Sequence, residues 1–143
     1  MGFNINKENI IGQKITVIGL KKSGYAAAVL GHELGANILV SEINNDTEII
    51  SNKNNLIKKG IRVETGKHSD LVYDADFWVI SPGVAKDIDI INQASKLEIP
   101  IIGEIEFASR FTNLPIIAVT GSNGKSTTVN ILYSMLKTDA LKP

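Results

Sequence analysis

Between Lys14 and Gly103 the chain keeps switching between short β-branched runs and helical segments. That alternation leaves few folds open, because parallel strands need crossovers and helices are the usual crossovers. Lys14-Ile15-Thr16-Val17-Ile18-Gly19 is a buried parallel strand by type. Ser23 is a candidate cap for a helix running through Ala26-Ala27-Ala28 to Leu34, with Gly35 as its stop. Asn37–Glu42 reads as a second strand. Asp46 and Thr47 open a helix whose Ile49, Ile50, Leu56 and Ile57 are expected on one face, closed by Gly60. Ile61–Glu64 and Asp76–Ser81 are further strands, the second cut off by Pro82-Gly83. Asp87–Leu97 is expected to be helical, Ile99–Gly103 a fifth strand, and Glu104–Phe111 another helix. The expected fold is α/β: a Rossmann-like parallel sheet with helices on both faces.

The chain's 143 residues suffice for one full domain, or for a small domain and a piece of another. Fifteen Lys+Arg cancel fifteen Asp+Glu, so no global field draws the chain to nucleic acid or an anionic membrane. Any phosphate binding must come from local groups. Zero cysteines exclude disulfides, thiolate metal sites and a cysteine nucleophile, which suits a cytoplasmic protein. Met1–Asn9 lacks a signal-peptide core and no window approaches a membrane span. A monomer is expected.

Gly19-Leu20-Lys21-Lys22-Ser23-Gly24 stands where a dinucleotide fingerprint would lie, between strand one and helix one. The fingerprint needs its second glycine for close approach to a pyrophosphate, and that position is Lys21. NAD is therefore disfavoured, while the two lysines still suit a phosphate-bearing ligand. Glu42 ends strand two, about where an acid bonds a ribose hydroxyl. Ser81-Pro82-Gly83 ends strand four on the same carboxyl edge of the sheet. A tight turn with a solvated carboxylate stays open as the plainer reading of these residues.

A second glycine turn comes late. Pro115-Ile116-Ile117-Ala118 is expected to be a strand, and Val129–Lys137 has a helical pattern. Between them lies Val119-Thr120-Gly121-Ser122-Asn123-Gly124-Lys125-Ser126-Thr127. Strand, glycine-rich turn ending Gly-Lys-Ser, then helix is the arrangement that wraps a polyphosphate in backbone N–H groups. Ser126 sits where a hydroxyl can reach Mg²⁺. Val119 takes the place of the leading glycine of the full Walker A pattern.

These residues resemble the ATP-binding signature of the Mur ligase family, whose loop has the form Thr-Gly-x-x-Gly-Lys-Ser/Thr. Ile18-Gly19-Leu20 with Ser23-Gly24, Ile80-Ser81-Pro82-Gly83-Val84 and Gly103-Glu104-Ile105-Glu106 are similar to the family's D-glutamate-adding members. Asn123 stands where the L-alanine-adding members have a histidine. The resemblance implies an ATP-dependent amide-bond ligase of peptidoglycan precursor synthesis. It would add D-glutamate to UDP-N-acetylmuramoyl-L-alanine through an acyl phosphate. ATP and Mg²⁺ would be held by Gly121, Ser122, Asn123, Gly124, Lys125, Ser126 and Thr127, with Lys125 on the β- and γ-phosphates and Ser126 on the metal. Lys22, Ser23, Glu42, Ser81, Pro82 and Gly83 would hold the UDP-linked substrate. Lys21 replaces a glycine frequent in the family, and Asn44 stands where some members place a basic residue.

The resemblance divides the chain into a UDP-substrate-binding domain, residues 1–103, and the beginning of an ATP-binding central domain, residues 104–143. Sixteen residues follow Thr127, so the second domain is expected to be a truncated start, inert alone, with Ile131, Leu132 and Met135 uncovered. His32 reads as a surface or packing residue, His68 as a polar-turn residue without a metal role, and Trp78 as core. Glu104 and Glu106 read as helix-start charges. A nucleotide-binding module without ligase activity, of P-loop or NAD type, remains the alternative.

Overall fold

The computed structural model describes residues 4–84 and 89–138. Five strands, β1 (Lys14–Ile18), β2 (Asn37–Glu42), β3 (Arg62–Thr65), β4 (Phe77–Ile80) and β5 (Ile101–Gly103), form one sheet in the order β3-β2-β1-β4-β5. Every neighbouring pair is parallel. The crossovers are α1 (Lys22–Glu33), α2 (Thr47–Lys58), a 3-10 turn (Asp70–Tyr73) and α3 (Asp89–Lys96). α4 (Glu104–Ser109) follows β5, and α5 (Lys125–Thr138) is the last element. The start of the third helix at Asp87 lies outside the described residues.

The strands are apolar along their length because both faces are covered. Ile15 and Val17, Ile38 and Val40, Phe77 and Val79, and Ile102 pack with Ala27, Ala28, Ile49, Leu56 and Phe107 of α1, α2 and α4. Their sequence neighbours Ile18, Leu39, Trp78, Ile80 and Ile101 pack on the other side with Val72 and Ala94. Trp78 is fully buried, and its indole N–H donates to the Val72 carbonyl at 2.8 Å. Complete burial of such a side chain is worth about 2–3 kcal/mol, and the satisfied N–H keeps that gain from being offset.

Three expectations need correction. α1 begins at Lys22, its cap position is Lys21, and no side chain caps it; Ser23 is inside the first turn, with its hydroxyl not spent on capping. In α2, Asp46 caps as expected, accepting from the Ile49 N–H at 3.0 Å, but Ile50 and Ile57 are half exposed while Ile49 and Leu56 are buried. Residues at spacing seven share the buried line, and the adjacent pair falls off it. Third, Pro115–Ala118 forms no strand. Ile116 and Ile117 are exposed, and a strand needs a neighbour to satisfy its backbone.

The chain divides into two units, Met1–Thr112 and Asn113–Pro143. α4 therefore belongs with the sheet and not with the later segment: Phe107 is buried between Phe77 and Phe111, with ring centroids 6.1 and 5.1 Å away. In the second unit α5 exposes Val129, Ile131, Tyr133 and Met135, while Leu132 is half buried. Among the described residues no helix is long and apolar enough to cross a membrane.

Candidate nucleotide site at the switch point

After β3 the chain crosses over to β4, on the other side of β1, so neighbouring strands send their connections in opposite directions. The carboxyl ends of β1 and β4 are where such a sheet opens a crevice. A cleft of about 680 Å³ lies there, lined by Gly19, Lys21 and Ser23 after β1, Glu42 to Asn44 after β2, and Ser81 to Val84 after β4. Ile18, Ser41, His68, Asp89 and Ile90 complete its walls.

The turn from β1 into α1 is tightly packed. Gly19 has φ +105, and a Cβ there would lie 2.6 Å from Ser81 Oγ. A Cβ on Gly24 would lie 2.2 Å from the Gly19 carbonyl oxygen. Both glycines are needed, one for a conformation L side chains rarely adopt and one for sheer proximity. This brings the N-terminus of α1, with its outward N–H groups, to the lip of the cleft.

Glu42 is buried, and its carboxylate holds this turn. Oε2 accepts from the Leu20 N–H at 2.9 Å, and Oε1 accepts from the Asn44 N–H and from Asn44 Nδ2, each at 2.8 Å. Asn52 on α2 donates to the Leu20 carbonyl at 3.0 Å from the other side. Across the cleft Ser81 donates to Glu104 Oε1 at 2.5 Å, and Glu104 is itself buried. Glu104 thus anchors the Ser81-Pro82-Gly83 turn, beyond the dipole role read from its helix-start position.

The structure brings Ser23, Glu42, Ser81, Pro82 and Gly83 together around one cleft. Lys22 is exposed and is not among the lining residues; Lys21, which occupies the fingerprint glycine's place, lines the cleft instead. His68, read as a bystander, is in the wall. Its Nδ1 lies 2.7 Å from Ser41 Oγ, which donates to Glu64 Oε1 at 2.5 Å. Burial of Glu64 opposes ionisation, but hydrogen bonds from Ser41 and Ser69 and the nearby His68 outweigh it, holding the carboxyl below its ordinary range. Folding therefore favours the charged form. Its contribution to stability is complete above the ordinary glutamate value, about 4.3, and is lost as pH falls through the lower folded value. Urea unfolding from about pH 5 down to about pH 3 is expected to show a shallower acid loss in Glu64→Gln than in the wild type.

The second glycine turn lies in the other unit. Gly121 has φ +143 and Gly124 φ +76, and α5 starts at Lys125. The Lys125 ammonium folds back onto the Gly121 carbonyl and lies 3.3 Å from that of Ser122. Gly121 to Thr127 are all exposed. Positive-φ glycines ahead of a helix start, spanned by a lysine, suit an anion with several oxygens.

Residues 13–103 match the model of the Mur ligase MurD-like N-terminal domain. The chain belongs to the Mur ligase family. A UDP-N-acetylmuramoylalanine–D-glutamate ligase from Koribacter versatilis is 41% identical over 135 residues, covering 94% of this chain and 30% of that protein. One from Acidobacterium capsulatum is 42% identical over 127 residues, 88% of this chain and 28% of that one. Among solved structures, UDP-N-acetylmuramate-alanine ligase MurC from Thermotoga maritima superposes with a TM-score of 0.60 at 28% identity, over 87% of this chain and 29% of that one. The chain thus spans less than a third of the length of these Mur ligases. Sequence reasoning gave Ser41 and His68 no part in this cleft and Glu104 only a helix-start role, and it weighed Lys21 only together with Lys22 as charge that suits a phosphate. The available signal was topological: Ser41 and Glu64 are register partners at the carboxyl edge, and Glu104 follows β5 at that same edge.

Proposed function

We propose that this chain binds the UDP-linked muramoyl-alanine substrate of a D-glutamate-adding Mur ligase in the switch-point cleft, and carries that enzyme's ATP-cradling turn at Gly121–Thr127. The observation that carries this reading is the pairing of a cleft built around the Gly19–Gly24 turn with a second phosphate-type turn in a different unit. In the cleft, N–H groups opening α1 meet the diphosphate, Lys21 adds a positive charge, Ser23 offers its hydroxyl, and Ser81-Pro82-Gly83 form the facing wall. Glu42 supports this from behind by fixing Leu20 and Asn44. Lys22, outside the lining, acts at most through its charge.

At the second turn the N–H groups of Gly121 to Thr127 would hold the triphosphate of ATP, and Ser126 would hold Mg²⁺. That pair supplies the phosphoryl group that activates the substrate carboxylate for attack by the D-glutamate amine. This chain's part is positional: Lys125 leaves the Gly121 and Ser122 carbonyls to neutralise the anion, and backbone donors keep it aligned. Ligase turnover draws on the parts of the relatives beyond this chain's match, so the 143-residue chain alone is expected to bind and not to turn over.

Calorimetric titration tests this. UDP-N-acetylmuramoyl-L-alanine and UDP are expected to bind the chain and compete with each other, and NAD is expected to do neither. Saturable NAD binding that UDP does not displace would overturn the assignment. ATP turnover dependent on the UDP substrate and D-glutamate would overturn the inertness of the isolated chain.

A further inference from the structure

Two of the turns that line the cleft meet through one hydroxyl. Ser81 Oγ lies 2.6 Å from where a Cβ would stand on Gly19 and 3.1 Å from where one would stand on Gly24. The Ser81 backbone is pinned on both sides: its N–H donates to the Ile18 carbonyl at 3.0 Å, and its carbonyl accepts from the Val84 N–H at 3.0 Å. The side chain still has to be fixed, since a serine hydroxyl on a fixed backbone has a choice of staggered positions. Glu104 fixes it, with Oε1 accepting from Ser81 Oγ at 2.5 Å.

Glu104 is 6% exposed and is not among the residues lining the cleft, so it reaches a ligand there only through another residue. Among the described residues its carboxylate has no hydrogen-bond partner but Ser81. Serine has one hydroxyl proton, and here it is spent on Glu104. Toward the cleft Ser81 Oγ then offers lone pairs only, which do not attract a phosphate oxygen. What Ser81 gives an anion is therefore mechanical. It fills the space beside Gly19 and Gly24 and so holds the turn that opens α1, whose first N–H groups have no partner within the helix.

We propose that Glu104 is a positioning residue for anion binding in the cleft: through Ser81 Oγ it keeps the Gly19–Gly24 turn in the shape that aims its N–H groups at a diphosphate. This rests on the assignment of the cleft to a UDP-linked compound. The sign of the effect is informative. On charge alone, removing a carboxylate behind an anion site would tighten binding; loss of the positioning role weakens it.

The test is a double-mutant cycle on UDP affinity, by calorimetric titration of the 143-residue chain, with urea unfolding of the same samples. Glu104→Ala and Ser81→Ala are each expected to bind UDP roughly tenfold more weakly. Because one residue acts through the other, the double variant is expected to lose no more than about tenfold, where independent sites would lose about a hundredfold. Glu104→Gln keeps an acceptor oxygen for Ser81 and is expected to stay within about threefold of the wild type. Phe107→Leu loosens the packing of α4 without touching the Ser81 bond, so it is expected to lower stability and leave UDP affinity within about twofold. Should Glu104→Ala not fold, Glu104→Met, which fills the space without a carboxylate, takes its place in the cycle. Additive losses overturn the role of Glu104, as does undiminished UDP affinity in a folded Glu104→Ala or Glu104→Met. An equal loss of affinity in Phe107→Leu does so too, because the stability of α4 would then account for it. Absence of all UDP binding by the wild type is a different result, and removes the cleft assignment together with this one.

Discussion

Gly24→Ala is expected to be the most damaging single-methyl addition in the sheet-bearing unit. The added carbon would lie 2.2 Å from the Gly19 carbonyl oxygen and 3.0 Å from its carbon, so no rotamer change can relieve the contact. Overpacking against movable side chains costs about 1–3 kcal/mol, and a backbone obstacle places this case at or above the upper end. A loss of about 3 kcal/mol takes a large share of the roughly 5–15 kcal/mol that holds a domain together, and lowers Tm by ~12–24 °C. Moving Gly19 away is no escape, because its own site is bounded by Ser81 Oγ and it sits at φ +105. Gly83→Ala is the matched control: among the described residues nothing lies within 4 Å of its added carbon, and a change of no more than about 0.5 kcal/mol is expected. Thermal and urea melts of the two variants check the pair. A Gly24→Ala protein with wild-type Tm would show that the turn does not hold the close packing described.

The sheet was legible in the chain because its strands are covered on both faces. Continuous β-branched runs such as Ile15-Thr16-Val17-Ile18 leave little choice of structure. Pro115–Ala118 has a similar composition and yet forms no strand, since composition does not supply the hydrogen-bonding neighbour that a strand requires. The glycine turn at Gly19–Gly24 and the Ser81-Pro82-Gly83 turn were legible for a related reason: special backbone conformations demand special residues. Lys22 and Lys21 could not be ranked from sequence, because one residue's rotation about a helix start decides which side chain reaches the cleft. Glu42 and Glu104 were legible as carboxylates at the right edge, but their partners, Leu20 N–H and Ser81 Oγ, are 22 and 23 positions away in the chain. His68 escaped because its place in the cleft wall and its contact with Ser41 Oγ exist only once the sheet is assembled.

Glu42→Ala sets two physical effects against each other, and the balance tests how the cleft works. Removing a negative charge beside a site for an anionic diphosphate should strengthen binding if charge dominates. Three hydrogen-bond donors already offset much of that charge, and across an open cleft the remaining gain is about 1 kcal/mol or less. On the other side, Leu20 is fully buried, and its N–H loses its carboxylate partner, as do both donors of Asn44. A buried donor left without a partner costs about 1–3 kcal/mol, more than the charge can return. Relief comes from displacement of the Leu20–Lys21 backbone, which moves the opening turn of α1 and the N–H groups that face the diphosphate. Glu42→Ala is therefore expected to lower stability by about 2 kcal/mol and to weaken UDP binding by roughly tenfold or more. Glu42→Gln keeps one amide oxygen for the Asn44 donors but turns an NH₂ toward the Leu20 N–H, so its loss falls between wild type and alanine. Calorimetry and urea unfolding on the same samples decide the matter: a Glu42→Ala chain that is less stable yet binds UDP more tightly would mean that charge, and not the ordered turn, governs the site.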